Sequence, residues 1–562
     1  MKERVRAYVS KLTFNNGLEL PIEKNDIVLF VGSNNVGKSQ ALEDIYVKCG
    51  KNASTIVVTE IETVKEENPI KDLLDLIANC EDLGSILQYR IMGQTMNYSK
   101  DGGETYFKNL KNYDIYRDLF VARLSTQVRL TICNPVETIN RNEAKTNPIQ
   151  YAAFDSQYRK WLSNNFREAF GENLTPNILF GKTIPLCIGP NVENSNEPFE
   201  DEISRQEAYA EILNSYKQVQ NQGDGIKSFT GILLYLMLDY YCTYLIDEPE
   251  SFLHPPQARI MGQIIGRTLR DNQQAFISTH SEDIVNGLLD ACDKRLKIIR
   301  ITREGDTNNF SVLENQKVKE VFGDPILKYS NILKGLFHKT VVLCESDSDC
   351  RFYSVIEAYL KQCQHKYSET LFINCGGKSS MAKIANALNA LNVEIRIIPD
   401  LDVLNEESVI CRISEACGIT WDAIKSEYKK LVSNLHSSKD TIERSYALNE
   451  IKKVIEGSDY KDLSKEEINR IKNIVKKSSK WEEIKREGVI SIPLEAREAF
   501  DNLNSIFKKH GLYMVPVGEL EGFVKIVDGH GSSWVNKVFE KYPDLDAEIY
   551  QTVKDFIMEL NL

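Results

Sequence analysis

The stretch IVLFVGSNNVGKSQ, residues 27–40, decides the fold of the first part of this 562-residue chain. Its apolar start, Ile27 to Val31, predicts a buried strand, and apolar residues over 42–49 recur at helical spacing. Between them, residues 32–39 fit the pattern G-x-x-x-x-G-K-[ST], whose glycines let backbone N–H groups surround a phosphate. A strand, a glycine-rich loop and a helix in this order predict a nucleotide-binding α/β domain.

This P-loop is the predicted ATP site. Lys38 is placed to reach the β and γ phosphates, and Ser39 to offer its hydroxyl to Mg²⁺ at a helix N-terminus. A glycine-rich turn that fits the pattern by chance is the alternative, and the flanking strand and helix argue against it. We therefore predict ATP and Mg²⁺ or Mn²⁺ as cofactors. The predicted nucleotide contacts in the loop are Gly32, Asn34, Asn35, Val36, Gly37, Lys38, Ser39 and Gln40.

Two acidic residues after a later strand are the expected second half of such a site. In YLIDEPESFLHP, residues 244–255, Asp247 can bind Mg²⁺ through water and Glu248 is placed to activate the attacking water. His280 follows another apolar strand, where it could contact the γ phosphate. An acidic pair after a strand is more often a turn, and a lone histidine more often a core or surface residue. Their order after the P-loop favours the functional interpretation.

Four motifs follow one another along the chain in an order that resembles the ABC-type ATPase heads of SMC-like and DNA-repair proteins. They are the P-loop, QGDGIKSF (residues 222–229), LIDEPESFLHP and STHSEDIV. The resemblance implies that two heads enclose ATP, with Lys227 and Ser228 of one chain contacting the nucleotide of another. The segment departs from the transporter signature L-S-G-G-Q, and a plain loop before a buried helix is the alternative. The resemblance also implies a glutamine that contacts Mg²⁺, for which Gln127 and Gln157 both stay open.

A second acidic site is predicted in the later part of the chain. In VVLCESDSDC (residues 341–350) and IRIIPDLDVL (residues 395–404), apolar strands run directly into carboxylates, and a third apolar run over 513–517 is also followed by acids. Three such strands can converge at one edge of a parallel sheet. Hard cations such as Mg²⁺ and Mn²⁺ would neutralise the repulsion there. The predicted metal ligands are Glu345, Asp349, Asp400, Asp402, Glu519 and Glu521, with Ser39 and Asp247 in the ATP site.

The later part of the chain resembles the TOPRIM fold. The resemblance is carried by Glu345, the pair Gly376-Gly377 and the alternating pair Asp400 and Asp402. An ABC-like head followed by TOPRIM resembles the OLD family of ATP-dependent nucleases, which includes Gabija-type and retron-associated phage-defence effectors. The resemblance implies an α/β fold, with an ABC-type P-loop ATPase domain followed by a TOPRIM α/β domain with a helical insertion. It also implies an assisting lysine. The predicted catalytic residues are Glu248, His280, Glu345, Asp400, Asp402 and Lys537, with Lys525 and Lys541 as alternative lysines.

The pattern along the chain predicts two domains. The ATPase domain is expected over 1–325, with 60–205 as an elaboration that includes a hairpin turn at 100–103. The TOPRIM domain is expected over 326–562. Its insertion at 404–510 carries one apolar helical face, starting at Trp421, and a capping box formed by Ser464 and Glu467.

Composition limits the possible classes of protein. Lys and Arg total 69 and Asp and Glu total 81, and the net charge of −12 excludes a protein that simply coats nucleic acid. The N-terminus lacks an apolar signal region, and no long apolar run occurs. Twelve cysteines without a C-x-x-C pair indicate a reducing compartment. We expect a soluble cytoplasmic protein that does not bind membranes.

The motifs, together with the resemblance to the OLD family, therefore imply an ATP-regulated, divalent-metal-dependent DNA endonuclease, and the resemblance implies an effector role in bacterial anti-phage defence. The expected partners are DNA, at least one further copy of the chain, and a defence component encoded nearby. The alternative is a nucleotide-switched DNA-binding scaffold or sensor with a non-cleaving TOPRIM domain. A topoisomerase or primase is a third possibility, against which the ABC-like head argues. Whether ATP activates or restrains cutting stays open.

Overall fold

The computed structural model describes residues 5–562 except 52, 92–93, 142, 191–201, 293–294, 306, 314–317, 319–323, 325–330, 437–443, 458–461 and 476–479. The chain divides into two compact units, Met1–Lys319 and Glu320–Leu562. Each unit has its own parallel strands.

The first unit combines α-helices with several β-sheets. Its strands are β1 (Ala7–Phe14), β2 (Glu19–Pro21), β3 (Ile27–Val31), β4 (Val58–Lys65), β5 (Asn79–Asp82), β6 (Ile86–Ile91), β7 (Gln94–Ser99), β8 (Val121–Leu124), β9 (Val136–Glu137), β10 (Asn173–Pro176), β11 (Thr183–Ile184), β12 (Leu186–Gly189), β13 (Lys217–Gln218), β14 (Thr243–Asp247), β15 (Gln274–Ser278), β16 (Leu296–Glu304) and β17 (Thr307–Leu313). Its helices are α1 (Lys38–Gly50), α2 (Ile70–Ile77), α3 (Gly103–Asn109), α4 (Arg117–Phe120), α5 (Thr126–Thr131), α6 (Pro148–Phe154), α7 (Ser156–Phe170), α8 (Glu202–Ser215), α9 (Asp224–Leu236), α10 (Pro255–Thr268) and α11 (Glu282–Ala291).

A six-stranded sheet with the order β17-β16-β3-β15-β14-β8 forms the centre of this unit. The strands from β16 to β8 are parallel, and only β17 runs antiparallel to its neighbour. All five residues of β3 are buried, which explains why this strand is a continuous apolar run rather than an alternating one. The order brings the ends of β3, β15 and β14 to one edge, so the P-loop and the acids of β14 lie close together.

The elaboration between the P-loop and the acids contains antiparallel strands as well as helices. The strands β5, β6 and β7 form an antiparallel sheet. The hairpin turn predicted at residues 100–103 is wrong, because β7 ends at Ser99 and Gly103 begins α3. The glycine serves packing instead, since a Cβ atom at Gly103 would lie 2.5 Å from the ring of Tyr98.

The second unit contains a three-stranded parallel sheet and many helices. Its strands are β18 (Thr340–Cys344), β19 (Thr370–Asn374) and β20 (Glu394–Ile398), in the order β19-β18-β20. Its helices are α12 (Asp347–Cys363), α13 (Lys378–Ala390), α14 (Glu407–Ala416), α15 (Trp421–His436), α16 (Arg444–Glu456), α17 (Lys465–Val475), α18 (Lys480–Glu487), α19 (Leu494–Lys509), α20 (Gly531–Lys541) and α21 (Gln551–Glu559).

The third strand expected before Glu519 is not a regular strand. The segment runs beside β20, where Tyr513 N donates to the Ile397 carbonyl oxygen at 2.8 Å and Val515 N donates to the Pro399 carbonyl oxygen at 3.2 Å. Gly518 then turns the chain with a φ angle of 99°. The prediction of three converging strands is therefore corrected to two strands and one extended segment.

The helical stretch over 404–510 has the predicted local features. Ile424, Tyr428, Leu431 and Leu435 are buried on one face of α15, which packs against α19. The capping box is confirmed, since Ser464 N donates to Glu467 Oε2 at 2.7 Å and Glu467 N donates to Ser464 Oγ at 3.2 Å.

Candidate functional site

The P-loop surrounds the N-terminus of α1. Gly32 and Gly37 have φ angles of 146° and 99°, which residues with a side chain rarely adopt. Lys38 is buried, and its ammonium group donates to the carbonyl oxygens of Gly32 at 2.9 Å and Ser33 at 2.7 Å. Burial lowers the pKa of Lys38. The lysine thus lies inside the loop, at the place where the motif predicts phosphate.

The other predicted contacts of the loop differ in accessibility. Asn34, Asn35 and Ser39 are exposed, whereas Val36 is buried and packs the loop against the domain. Gln40 is half-buried, and its side-chain amide donates to an aspartate one turn later in α1. The exposed residues are those that a nucleotide could reach directly.

The predicted acids lie at the edge of the sheet that carries the P-loop. Ser39 and Asp247 line one small cavity, and both carry side-chain oxygen atoms of the kind that Mg²⁺ binds. Asp247 ends β14, and its carboxylate accepts a hydrogen bond from Ser278 Oγ. Glu248 N donates to the Ser278 carbonyl oxygen at 3.0 Å, and His280 Nε2 lies 3.3 Å from Glu248 Oε1. Asp247, Glu248 and His280 are therefore brought together as predicted.

Glu250 is a residue of this site that the sequence reasoning missed. Its carboxylate accepts hydrogen bonds from Thr279 Oγ1 at 2.8 Å and from His280 N at 2.9 Å. Burial raises its pKa. Its position two residues after Glu248 was the only sequence signal for a role in this site. Its hydrogen bond with His280 N fixes the backbone segment that carries His280.

The proposed signature segment occupies the start of α9. Lys227 is half-buried and pairs with Asp224 at 3.4 Å. Ser228 is fully buried, and its hydroxyl has no hydrogen-bond partner within the described part of the chain. In the single chain this hydroxyl is not accessible, and contacts of Lys227 and Ser228 with the nucleotide of another chain stay predictions.

The two candidate glutamines lie on different helices. Gln127 lies on α5, two residues after Ser125, and Ser125 lines the small cavity with Ser39 and Asp247. Gln157 lies on α7, outside the parallel sheet. Of the two, Gln127 lies nearer in the chain to a residue that lines this cavity.

In the second unit, Glu345 follows β18 and the pair Asp400 and Asp402 follows the neighbouring strand β20. Carboxylate oxygens of these three residues lie within 4.8 Å of one another. Asp400 N donates to Glu345 Oε1 at 3.0 Å, and Gly377 N donates to the Glu345 carbonyl oxygen at 2.8 Å. The glycine turn therefore lies beside the acidic cluster. Three convergent carboxylates form an all-oxygen donor set that fits Mg²⁺ or Mn²⁺.

Burial and neighbouring negative charges raise the pKa values of several acids in and beside this cluster. Burial raises the pKa of Asp400 to about 9, and the nearby charges of Glu345 and Asp349 add to the shift. Burial also raises the pKa of Glu345 and Asp349. Asp349 is the third residue of α12 and accepts a hydrogen bond from Ser346 N at 2.8 Å, so part of its carboxylate caps the helix.

A second group of ligands lies next to the first. Glu519, Glu521 and His530 offer ligand atoms within 4.8 Å of one another. His530 Nδ1 lies 2.7 Å from Glu521 Oε1, which also accepts a hydrogen bond from Gly531 N at 2.7 Å. The sequence reasoning missed His530, for which a lone histidine between two glycines was the only signal.

Two lysines that the sequence reasoning missed contact these acids. Lys485 on α18 has its ammonium nitrogen 3.7 Å from Asp400, 3.4 Å from Asp402 and 3.8 Å from Glu519. Lys378 begins α13 and lies 3.2 Å from Asp402. Burial lowers the pKa of Lys485, but Asp402, Asp400 and Glu519 more than offset it, and the net pKa is raised.

Lys537 is placed differently from these two lysines. Its ammonium group is exposed and donates to the Asp528 carbonyl oxygen at 3.1 Å. Within the described ranges it forms no ion pair with the acidic cluster. Lys525 pairs with Glu487 at 2.7 Å, and Lys541 lies over the ring of Tyr542. A catalytic role for Lys537 stays a prediction.

Comparison with known families matches both units. Residues 113–285 match the AAA ATPase domain, and residues 336–402 match the TOPRIM domain of proteins like the overcoming lysogenization defect protein. The second match spans Glu345, Asp349, Asp400 and Asp402. The two domains imply the use of a nucleotide and of a divalent metal.

Two relatives have short matching regions. The Old nuclease of Escherichia phage P2 is 23% identical over 166 residues, which cover 28% of this chain and 28% of that protein. An uncharacterized protein of Methanocaldococcus jannaschii is 29% identical over 103 residues, which cover 18% of this chain and 90% of that protein. The chain therefore matches less than a third of the length of the phage nuclease.

Two solved structures show only a distant likeness. An SMC head bound to the C-terminal winged-helix domain of ScpA has a TM-score of 0.33 and 16% identity, over 56% of this chain and 99% of that one. An ABC-transporter ATP-binding cassette in its ADP conformation has a TM-score of 0.25 and 14% identity, over 58% of this chain and 98% of that one.

A P-loop unit with its acids on neighbouring strands, joined to a TOPRIM unit with converging carboxylates, defines an α/β protein that combines an ATPase domain with a TOPRIM domain. The matched domains, together with the similarity to the phage P2 nuclease, support a relationship to the OLD family. None of the helices described in it is both long and apolar enough to cross a membrane.

Proposed function

We propose that the protein is an ATP-regulated, divalent-metal-dependent DNA endonuclease that acts in bacterial anti-phage defence. The observation that carries the proposal is the convergence of Glu345, Asp400 and Asp402 at the ends of two neighbouring parallel strands. The resemblance of the domain order to Gabija-type and retron-associated effectors supports the defence role.

Each group of the acidic site has a distinct part in phosphodiester hydrolysis. Divalent metals bound there would supply an activated water and neutralise charge on the leaving oxygen. Glu345, Asp400 and Asp402 would hold one metal, and Asp349, Glu519 and Glu521 lie beside them as further ligands. Lys485 can offset negative charge as the scissile phosphate approaches, since it already faces three carboxylates.

The ATPase unit would regulate this activity. Lys38 and Ser39 would contact the phosphates and the metal, while Glu248 would orient the attacking water with His280 beside it. The exposed start of α9 supports the proposal that two chains assemble with ATP between them. DNA binding in a chain with a net charge of −12 would depend on a local basic surface and weaken as salt releases counterions.

The test compares cutting of supercoiled plasmid by wild type, Glu345→Ala and Asp347→Ala with Mg²⁺ or Mn²⁺, with and without ATP. Asp347 is the matched control, because its carboxylate pairs with Arg351 at 2.6 Å and is exposed outside the cluster. We expect cutting to vanish in EDTA and in Glu345→Ala, to persist in Asp347→Ala, and ATP binding to be equal in all three proteins. Equal cutting by wild type and Glu345→Ala would place the activity elsewhere. Phage plating on cells that express wild type or Glu345→Ala tests the defence role.

The ion pairs of Lys485 and Lys378 with the acids favour a second candidate function. An ammonium group held by these carboxylates would compete with a metal ion for them. The protein would then be a nucleotide-switched scaffold or sensor that binds DNA without cutting it. Lack of cutting by the wild type under every metal, nucleotide and partner condition would favour this candidate.

A further inference from the structure

Arg129 is a buried cation behind the acids of the ATP site. Its side chain is fully buried in α5, and its guanidinium group donates to the carbonyl oxygens of Asp247 and, at 3.2 Å, of Glu248. Two further hydrogen bonds join it to Thr126 Oγ1 at 3.3 Å and to the Leu124 carbonyl oxygen at 3.5 Å. Burying a guanidinium group is costly. Burial lowers the pKa of Arg129, and the nearby carboxylates of Asp247, Glu250 and Glu248 offset part of this shift, so the guanidinium group lies close to the acids of the site.

The backbone that Arg129 contacts is strained. Glu248 has a φ angle of 47°, in the left-handed region that residues other than glycine rarely adopt. Such a conformation persists only where the surrounding structure imposes it. Hydrogen bonds hold Glu248 from two sides, with Ser278 accepting from its N–H at 3.0 Å and Arg129 donating to its carbonyl oxygen.

Helix α9 packs closely against the backbone of Arg129. A Cβ atom at Gly231 of α9 would lie 2.4 Å from the Arg129 carbonyl oxygen and 2.8 Å from its Cα atom. Cys133, two residues after the end of α5, has its Sγ atom 3.3 Å from the Lys227 carbonyl oxygen. This contact joins the end of the Arg129 helix to the start of α9. Any displacement of α9 would therefore reach Arg129 through direct contact.

We propose that Arg129 is a positioning residue of the ATPase unit, which fixes the backbone of Asp247 and Glu248 and makes the position of Glu248 depend on α9. The inference rests on the proposed ATP hydrolysis. The helix α9 begins at the segment expected to meet a second chain. A shift of α9 on assembly would therefore change the position of Glu248, the residue that orients water, through Gly231 and Arg129.

The experiment measures nucleotide affinity with a fluorescent ATP analogue, and kcat and KM for ATP hydrolysis, in wild type, Arg129→Gln and Arg129→Lys. We expect kcat to fall by about 10- to 100-fold in Arg129→Gln while affinity changes less than about threefold, since misplacing a catalytic group slows the reaction without removing phosphate contacts. Arg129→Lys should recover part of kcat. Arg117→Gln is the control, because Arg117 pairs with Asp118 and lies over Tyr46.

Gly231→Ala tests the same inference without removing the buried charge, in case Arg129→Gln does not fold. It should lower kcat with affinity preserved, whereas Gly266→Ala, which is crowded by Cys292 and Ala291 on α11, should leave kcat near wild type. A kcat within about twofold of wild type in folded Arg129→Gln or in Gly231→Ala would overturn the inference. A wild type without ATPase activity would overturn the proposed function itself.

Discussion

Binding of a divalent cation to the second unit should release a proton, and Asp400 sets the size of the effect. Burial, followed by the charges of Glu345 and Asp349, raises the pKa of Asp400 to about 9. In the metal-free protein the cluster that contains Asp400, Glu345 and Asp349 therefore holds a proton at neutral pH, whereas a metal ligand must be ionised. Below this pKa the ionised fraction rises about tenfold per pH unit, so the Kd for Mn²⁺ should fall about tenfold between pH 7 and pH 8.

The assay is calorimetric titration of Mn²⁺ into the protein at about pH 7.0, 7.5, 8.0 and 8.5, in buffers that differ in ionisation enthalpy. Steps of about half a pH unit resolve the expected dependence of Kd on pH. The buffer dependence reports the number of protons released, which should be about one at the lower pH values. Asp400→Asn should lose both the proton release and the pH slope. An affinity that changes less than about twofold over this range, without buffer dependence, would refute the reasoning.

The same group predicts the pH dependence of stability in the metal-free protein. Because the folded-state pKa of Asp400 lies above its value in an unfolded chain, its contribution to stability is fully present below the unfolded pKa and is lost as pH rises through the folded pKa. The Tm should therefore fall between about pH 7 and pH 9 in EDTA, and fall less in Asp400→Asn.

Three further outcomes follow from single contacts. Glu248→Gln should keep nucleotide binding and stop hydrolysis, because Ser39 and Asp247 remain; unchanged turnover would exclude Glu248 as the group that orients water. Lys485→Met should slow DNA cutting by about 10-fold or more by removing the ammonium group beside Asp402 and Glu519, and faster cutting would instead identify Lys485 as an inhibitor of metal binding. Gly32→Ala should abolish ATP binding in a filter assay, because its Cβ atom would lie 2.2 Å from the Ile301 carbonyl oxygen.

The sequence by itself determined the elements that depend on residues close together in the chain. The P-loop is defined by eight consecutive residues, because one loop must surround the phosphates. The acids after β14, β18 and β20 were equally recognisable, since a buried parallel strand is a continuous apolar run and polar residues directly after it mark the edge of the sheet. The fold class and both candidate sites followed from such local patterns.

The tertiary structure decided which distant residues complete those sites. Lys485 lies 83 residues beyond Asp402, within a helical stretch whose own pattern predicts only an apolar face. Arg129 is 118 residues from Asp247, and its place in an ordinary helical stretch gave no sign of a buried guanidinium group. The run before Glu519 looked like a strand because it is apolar, yet only its hydrogen bonds with β20 show that it is an extended segment. Contacts between residues far apart in the chain depend on how helices and strands pack, and packing is a property of the whole unit that no short stretch of sequence contains.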